Sequence, residues 1–460
     1  MEQTIDIAVI GAGLTGLTAA HYLKKAGKSF HVIERKEVVG GDIQTASENG
    51  FTFEQGPSTG VMSNEFVADL FDDLKGLCEL ERPTDAVNKR YVLYKGKWQS
   101  LPSGFMGGVT TPLFTWADKI RLLGEPFRKP GTNPNETLAE LVLRRMGKSF
   151  LDYAIDPFII GVYAGDPGYL VPRFALPKLY NLEQTYGSFI GGSVKMMREK
   201  AKQQPKADKK KKEKNRIFSV KGGLSNFMQA LYQSSGRANF TLGVAGLTIV
   251  PQDDKYLISG TNADGSPFAL LANKVITTTG AYELDKLLPF VDKARMDAVT
   301  NLRYARVLQI ALGFKNWTGW QPDAFGGLIS HKENRQALGV LFPSVFLQDR
   351  APEGGQLLSV FMGGVRNNNL VEKTDEEIRM LLEKEICSLM KVSEFKPDLL
   401  RIFRYQHAIP QYGADCEARF AALDAIQSEY SGLFIGGNLR NGIGMADRIK
   451  QGKELAEGIC

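Results

Sequence analysis

Residues 5–10, Ile-Asp-Ile-Ala-Val-Ile, run directly into Gly11-Ala12-Gly13-Leu14-Thr15-Gly16. A helical stretch follows from Leu17 to Lys25, closed by Gly27, and then a second strand-like run, Phe30-His-Val-Ile-Glu34. Strand, glycine turn, helix, strand and terminal acid are together the parts of a dinucleotide-binding βαβ unit. Each residue has a physical task in it. Gly11 permits the tight turn, Gly13 lets a pyrophosphate approach the backbone, and Gly16 lets helix and strand pack closely. The helix N-terminus offers unpaired N–H groups to phosphates, and Glu34 can accept from ribose hydroxyls. The glycine pattern alone would be weak. Its flanking elements predict a nucleotide site built on Gly11 to Gly16 and Glu34.

The 460 residues, 43% hydrophobic and 23% charged, are enough for a large core and two or three domains, and they exclude wholesale disorder, collagen and coiled coil. Cys78, Cys387, Cys416 and Cys460 lie scattered, as do His21, His31, His331 and His407. Without CxxC or HExxH spacing, neither a disulfide framework nor a metal site is expected. The N-terminus lacks a basic region before its apolar run, and no apolar stretch reaches the ~18 residues that span a bilayer. The chain therefore reads as an intracellular, reduced protein. Its net charge of +6 is local: residues 195–216 hold nine Lys and two Arg against Glu199, Asp208 and Glu213. That tract lacks interleaved aromatics, so nucleic acid is not the expected partner. A solvated loop or contact with anionic lipid is.

Further along, residues 98–130 mix aromatics with Pro and Gly, and a helical pattern returns over 135–150. Short β elements are expected across 239–280, further strands at 305–315 and 356–362, and a helix over 374–391.

Gly40-Gly41, continuing Asp42-Ile-Gln-Thr45, resembles the extended FAD signature of the flavin amine oxidase superfamily. Gly432-Leu-Phe-Ile-Gly436-Gly437-Asn438, followed by Gly442-Ile443-Gly444, is similar to that superfamily's second flavin segment. A signature at both ends favours FAD over NAD. Within the superfamily the chain resembles the protoporphyrinogen oxidase family nearly end to end. Glu54-Gln-Gly-Pro57, Arg90-Tyr-Val-Leu-Tyr, Gly161-Val-Tyr-Ala-Gly-Asp-Pro167, Lys221-Gly-Gly-Leu224, Arg350-Ala-Pro352, Phe361-Met-Gly-Gly364 and Pro410-Gln-Tyr412 stand in that family's order. Asp42, where the family commonly has Lys, Arg or Trp, and the lysine-rich insertion at 205–214 depart from it.

The resemblance implies an α/β fold with three parts. A Rossmann-like FAD-binding domain of the para-hydroxybenzoate-hydroxylase type would span 1–85, 215–280 and 405–460. A mixed α+β substrate domain would span 86–97 and 281–404, and a helical membrane-binding insertion 98–214. It implies one non-covalent FAD and extends the flavin contacts to Arg35, Gly40, Gly41, Gly56, Pro57, Ser58, Thr59, Val244, Gly436, Gly437, Asn438, Gly442, Ile443 and Gly444. The reaction implied is six-electron oxidation of protoporphyrinogen IX, with hydride equivalents taken at the flavin N5 and passed to oxygen or a quinone, and no catalytic side chain. Arg90 matches the position that binds a propionate, Gly161 places a backbone carbonyl near the macrocycle, and Leu328, Leu341 and Phe361 match the sandwiching positions. Coproporphyrinogen III oxidation is the alternative; relatives with that activity generally lack an arginine at the position of Arg90. A flavin amine oxidase or desaturase is the remoter one.

Residues 105–123 combine Phe105, Met106, Leu113, Phe114, Trp116, Ile120, Leu122 and Leu123 with Lys119 and Arg121, an amphipathic mixture suited to an interface. With the basic tract, this leads to the expectation of peripheral attachment to the inner face of the cell membrane, in a cytoplasmic protein whose homodimerisation stays open.

Overall fold

The computed structural model describes residues 4–102, 107–108, 110–203 and 216–459; Phe105, Met106 and the lysine-rich 205–214 lie outside the described residues. Thr4–Ile10 is a central strand, its last four residues all buried, as a strand covered on both faces must be. It pairs in parallel with Phe30–Glu34 on one side and with Pro267–Thr277 on the other. Phe240–Leu242 extends the sheet beyond Phe30–Glu34, and Leu433–Ile435 adds beside residues 275–277, both in parallel. Pro267–Thr277 changes partner along its length: residues 267–272 pair antiparallel with Lys255–Thr261, which pairs in turn with Ala245–Gln252. Helices Leu14–Lys25, Leu224–Ser234 and Met445–Ile459 bury Leu17, Phe227 and Ile449 in one core of this sheet. Lys293–Thr300 and Cys416–Glu429 bury Met296, Leu423 and Ile426 in another.

The second sheet has seven strands in the order Leu399–Pro410, Tyr304–Phe314, Gln356–Gly363, Ala337–Leu341, Gly326–Ile329, Arg90–Tyr94, Lys97–Ser100. Side chains alternate between its faces. Leu308, Ile310, Leu312, Val340, Val360 and Met362 form one core with Ile378, Leu382 and Ile386 of the Asp375–Met390 helix. That helix starts cleanly because Thr374 and Glu377 form a reciprocal capping box. The opposite face carries the candidate site.

Between the two sheets in sequence, helices from Trp116 to Gln203 pack around Leu138, Leu141, Val142, Phe150 and Ile159. A wholly buried ion group ties them together: Arg145 bonds Glu125 Oε1 at 2.5 Å and also meets Glu183.

The expected elements at 5–10, 30–34, 305–315, 356–362 and 374–391 are present as Thr4–Ile10, Phe30–Glu34, Tyr304–Phe314, Gln356–Gly363 and Asp375–Met390. The first helix begins at Leu14, three residues before the expected Leu17, because the glycine turn passes directly into helical backbone. Strands Lys97–Ser100 and Leu399–Pro410 run across the positions expected as boundaries at 97 and 405. Leu113 and Phe114, read as interfacial, are buried instead, Phe114 stacking on Phe150 at 3.9 Å.

Candidate functional site

The glycine turn has the backbone geometry expected of it. Gly11 sits at φ +99°, which only glycine adopts without strain. A Cβ on Gly16 would lie 1.9 Å from the Gly11 carbonyl oxygen, so no larger residue could let the helix approach. Around Gly13, by contrast, no atom stands within 4 Å of where a Cβ would be. The space is open where a diphosphate would come. Gly13 is the uncapped start of the helix, and no acid occupies its first turn, so the N–H groups there are free to favour an anion. Glu34, buried at the end of its strand, accepts from the Ala12 N–H at 2.6 Å and the Lys36 N–H at 2.8 Å. Its carboxylate is thereby fixed beside the turn, with lone pairs left for hydroxyl donors.

Thr278 brings the two ends of the chain together. Its hydroxyl bonds the carbonyls of Ile10 and Gly11. A Cβ on Gly437 would lie 3.1 Å from its carbonyl oxygen. Gly436 donates to Thr277 and Gly437 to the Gln451 side chain at 2.8 Å. The Gly40–Gly41 turn closes a third side, since a Cβ on Gly41 would be 3.4 Å from Gly13 Cα. Gly56 packs so tightly on it that a Cβ would fall 2.0 Å from the Asp42 carbonyl oxygen. Asp42 itself pairs with Lys36 at 3.1 Å. The residues present fit a dinucleotide: an open cradle at Gly13, an unscreened helix N-terminus and an oriented acid.

The segment from Gly436 to Gly444 is held by Arg448. This guanidinium is buried, bonds the carbonyls of Gly437, Arg440 and Asn441, and is drawn below its usual pKa by burial. Tyr412 donates to the carbonyls of Asn438 (2.6 Å) and Gly442 (3.1 Å), while Tyr304 reaches Asn438 Oδ1 at 3.4 Å. Asp447 receives the Gly444 N–H at 3.1 Å, and Ile443 packs against the helical core.

Not every expected flavin contact points the same way. Arg35 is paired with Glu283 at 2.9 Å. Val244 is buried, its N–H donating to the Glu34 carbonyl. Ser58 lines a small cavity with Glu54, Arg350 and Ser359. Glu54 itself was missed as a hub. It accepts from Thr45 Oγ1 at 2.6 Å and the Leu224 N–H at 3.0 Å and faces Arg350, which pairs with Glu81 at 2.9 Å. Burial pushes its carboxyl up, against the pull of those bonds. Three motifs quoted separately from the sequence, at 54–57, 221–224 and 350–352, thus meet at one buried cluster.

The substrate candidates converge through strand register. Arg90 lies beside Gly326, Gly326 beside Leu341, and Leu341 beside Ser359. Leu328 lies beside Gly339, Gly339 beside Phe361, and Phe361 beside Gln309. Directly paired residues share a face, as do residues two apart. Arg90, Leu328, Leu341 and Phe361 therefore all project from the face turned away from the Asp375–Met390 helix. Gln309 and Tyr405 join this face and tie it to the 54–57 motif, donating to the carbonyls of Glu54 and Gln55. Gly161 comes from the other side: a Cβ on it would be 2.5 Å from Leu328 Cδ2. Arg90 starts its strand exposed, its guanidinium 5.4 Å from the Phe325 ring centre.

Residues 14–460 match the family model of flavin containing amine oxidoreductases. Mitochondrial protoporphyrinogen oxidase of Nicotiana tabacum is 28% identical over 98% of this chain and 94% of its own length. Coproporphyrinogen III oxidase of Bacillus subtilis (strain 168) is 26% identical over 97% of this chain and 96% of its own. A crystal structure of a protein from Exiguobacterium sp. 255-15 superposes with a TM-score of 0.81 at 21% identity, covering 100% of this chain and 99% of that one. The chain belongs to the flavin containing amine oxidoreductase family, has its mixed α/β flavin-binding fold, and is an FAD-dependent oxidoreductase.

Proposed function

We propose that this oxidoreductase takes six electrons from protoporphyrinogen IX to form protoporphyrin IX, a step of heme biosynthesis. The observation that carries the reading is the single sheet face bearing Arg90, Leu328, Leu341 and Phe361 opposite Gly161. Apolar side chains with a guanidinium on the same face suit a large apolar macrocycle with a propionate at its edge. FAD, when bound, supplies the hydride-accepting N5. The chain's own part is positional. Gly11, Gly13, Gly16, Gly40, Gly41 and Glu34 hold the dinucleotide end, and Gly436 to Asn438 with Gly442 to Gly444 hold the isoalloxazine end. Arg90 fixes one substrate edge by a charge-assisted fork. Leu328, Leu341 and Phe361 exclude water from the ring faces, and Gly161, lacking a side chain, lets its helix close onto Leu328 and bring a backbone carbonyl near the ring. The FAD part is read as para-hydroxybenzoate-hydroxylase-like, with the second sheet as substrate domain and the helices from Trp116 to Gln203 as the insertion. Oxygen or a quinone is the final acceptor.

Coproporphyrinogen III is the second reading, favoured by the Bacillus subtilis relative. An amine substrate is disfavoured because Tyr304 and Tyr412 present hydroxyls to Asn438, not ring faces. Peripheral membrane contact is supported by Trp116, Ile120, Leu123 and Phe127, each at least two-thirds exposed. Among the described residues no helix is long and apolar enough to cross a membrane. The test is to follow porphyrin fluorescence with protoporphyrinogen, coproporphyrinogen and a small amine side by side. Turnover of the amine alone would overturn the reading.

A further inference from the structure

Three parts of the proposed substrate slot come from distant segments: the Asp156–Tyr163 helix with Gly161, the Gly326–Ile329 strand with Leu328, and the Gln356–Gly363 strand with Phe361. All three meet at one ionic cluster. Arg366 follows the Phe361 strand and bonds Asp156 Oδ1 through Nη1 at 2.7 Å. Through Nη2 and Nε it also bonds Asp166, at 2.8 and 3.2 Å. Asp156 opens the Gly161 helix and Asp166 stands just beyond its end, so a single guanidinium grips both ends of that helix.

Asp156 is wholly buried. Its other oxygen accepts from Ser330 Oγ at 3.1 Å and the His331 N–H at 3.0 Å, with His331 Nδ1 at 2.9 Å. Those residues directly follow the Leu328 strand. At the far end the helix closes on Ala164 in the left-handed region (φ +45°), whose carbonyl accepts from the Val365 N–H at 2.9 Å. Gly364 lies so close that a Cβ would be 2.7 Å from the same carbonyl. Burial alone would raise the Asp166 carboxyl, but the Arg366 bonds hold it below its ordinary value.

We infer that Arg366 is a positioning residue for substrate: it sets the clearance between Gly161, Leu328 and Phe361 by pinning their three elements to one another. The inference rests on the porphyrinogen reading. A planar fork can hold two carboxylates at a fixed angle, whereas a lysine ammonium can hold either but not that geometry. Misplacement of a reacting centre by ~1 Å can cost ~100-fold in rate, so a small loosening of the helix is enough to register.

The experiment compares Arg366→Met, Arg366→Lys and Asp166→Asn with the wild-type holoenzyme. FAD occupancy and melting temperature are read first, so that any loss of folded protein is subtracted. Anaerobic bleaching of the flavin by protoporphyrinogen is then followed together with steady-state rates. We expect kcat and the bleaching rate of Arg366→Met to fall together by ~10–100-fold, with KM within a few-fold because Arg90 is untouched. Arg366→Lys should recover part of the loss, and Asp166→Asn should lose least. Amides of residues 156–166 should exchange faster in all three. Should Arg366→Met not fold, the other two variants carry the same comparison. A folded, flavin-loaded variant with unchanged bleaching, or a loss matching the unfolded fraction, overturns the inference alone. A wild type that bleaches with neither porphyrinogen overturns the functional reading and this inference with it.

Discussion

Leu328 Cδ2 occupies the space into which any side chain at position 161 would project, 2.5 Å from where a Gly161 Cβ would lie. The same methyl is 3.6 Å from where a Cβ on Gly339 would be. Leu328 is thus seated between two glycines, one on the sheet and one on the helix above it. Phe361 lies on the far side of Gly339, two strand spacings away, or about 10 Å. Both residues project from the same sheet face, with Gly339 between them.

Replacing Gly161 with Ala should therefore displace Leu328 along that face. The expected result is a folded, flavin-loaded enzyme whose porphyrinogen turnover drops, roughly tenfold or more for a displacement of a few tenths of an ångström to one ångström. Leu328→Ala in the same chain should return part of that activity by vacating the contested space. Steady-state kinetics of the two single variants and the double variant check this. Additive losses would mean that the two residues do not share one space.

Glu34→Ala removes the carboxylate that fixes the Ala12 N–H and that, on the proposed reading, accepts from the ribose. Loss of a charge-assisted hydrogen bond is worth about 1.5–3 kcal/mol, roughly a tenfold to hundredfold weaker hold on FAD. The ratio of flavin to protein absorbance after gel filtration is the measurement. Full occupancy in the variant would remove Glu34 from that role.

Arg90→Ala should raise KM for protoporphyrinogen by roughly tenfold while changing kcat little, since a contact remote from the reacting carbon binds ground and transition states alike. Collapse of kcat at constant KM would instead place Arg90 at the flavin face.

Much of this site was legible in the sequence, and the reason is local. Gly11, Gly13, Gly16 and Glu34 act within one βαβ unit, so their spacing alone encodes their geometry. The Thr278 bridge, the Glu54–Arg350–Glu81 cluster and the Arg366 clamp were not legible, because each joins residues more than a hundred positions apart and none has a local pattern. The convergence of Arg90 with Leu341 needed strand register: their strands are joined only through Gly326–Ile329, which pairs in parallel with one and antiparallel with the other. The interfacial reading of residues 105–123 mixed two kinds of residue among those described. Leu113 and Phe114 close the helical core, while Trp116, Ile120 and Leu123 share one outward helix face.

Acid should undo the helical region first. Burial alone would raise the Glu125 carboxyl, but the N–H groups of Phe189 and Ile190, Ser188 and Arg145 hold it below its ordinary value. Glu183 is likewise held low by Arg144 and Arg145 against burial. A carboxyl depressed in the folded state adds stability above its unfolded pKa, about 4.3 for Glu, and loses it as pH falls through the folded value. Melting temperature should therefore drop steeply below about pH 4.5. Arg145→Met should destabilise the protein by about 3–5 kcal/mol at pH 7, since it strands the buried Glu125 carboxylate and leaves Glu183 with Arg144 alone, and should flatten that acid limb. A variant as acid-sensitive as the wild type would show that the depression comes from the backbone donors alone.

Trp116, Ile120 and Leu123 recur at helical spacing on the Trp116–Leu123 helix, 68%, 67% and 67% exposed, and Phe127 follows at 90%. Such a stripe is costly in water and favourable at a lipid surface, where each buried apolar side chain contributes about 1.5–3 kcal/mol. Lys119 holds its ammonium 4.6 Å from the Trp116 ring centre while bonding the Thr111 carbonyl, so it steadies the indole on the helix surface. Trp116→Ser with Ile120→Ser should therefore leave folding and solution turnover unchanged, because neither side chain is buried, yet shift the protein out of the lipid fraction in liposome flotation. The wild type should stay bound at high salt, since charge is screened beyond ~8 Å at physiological ionic strength whereas apolar insertion is not. If salt alone releases the wild type, the basic tract carries the contact and this stripe does not.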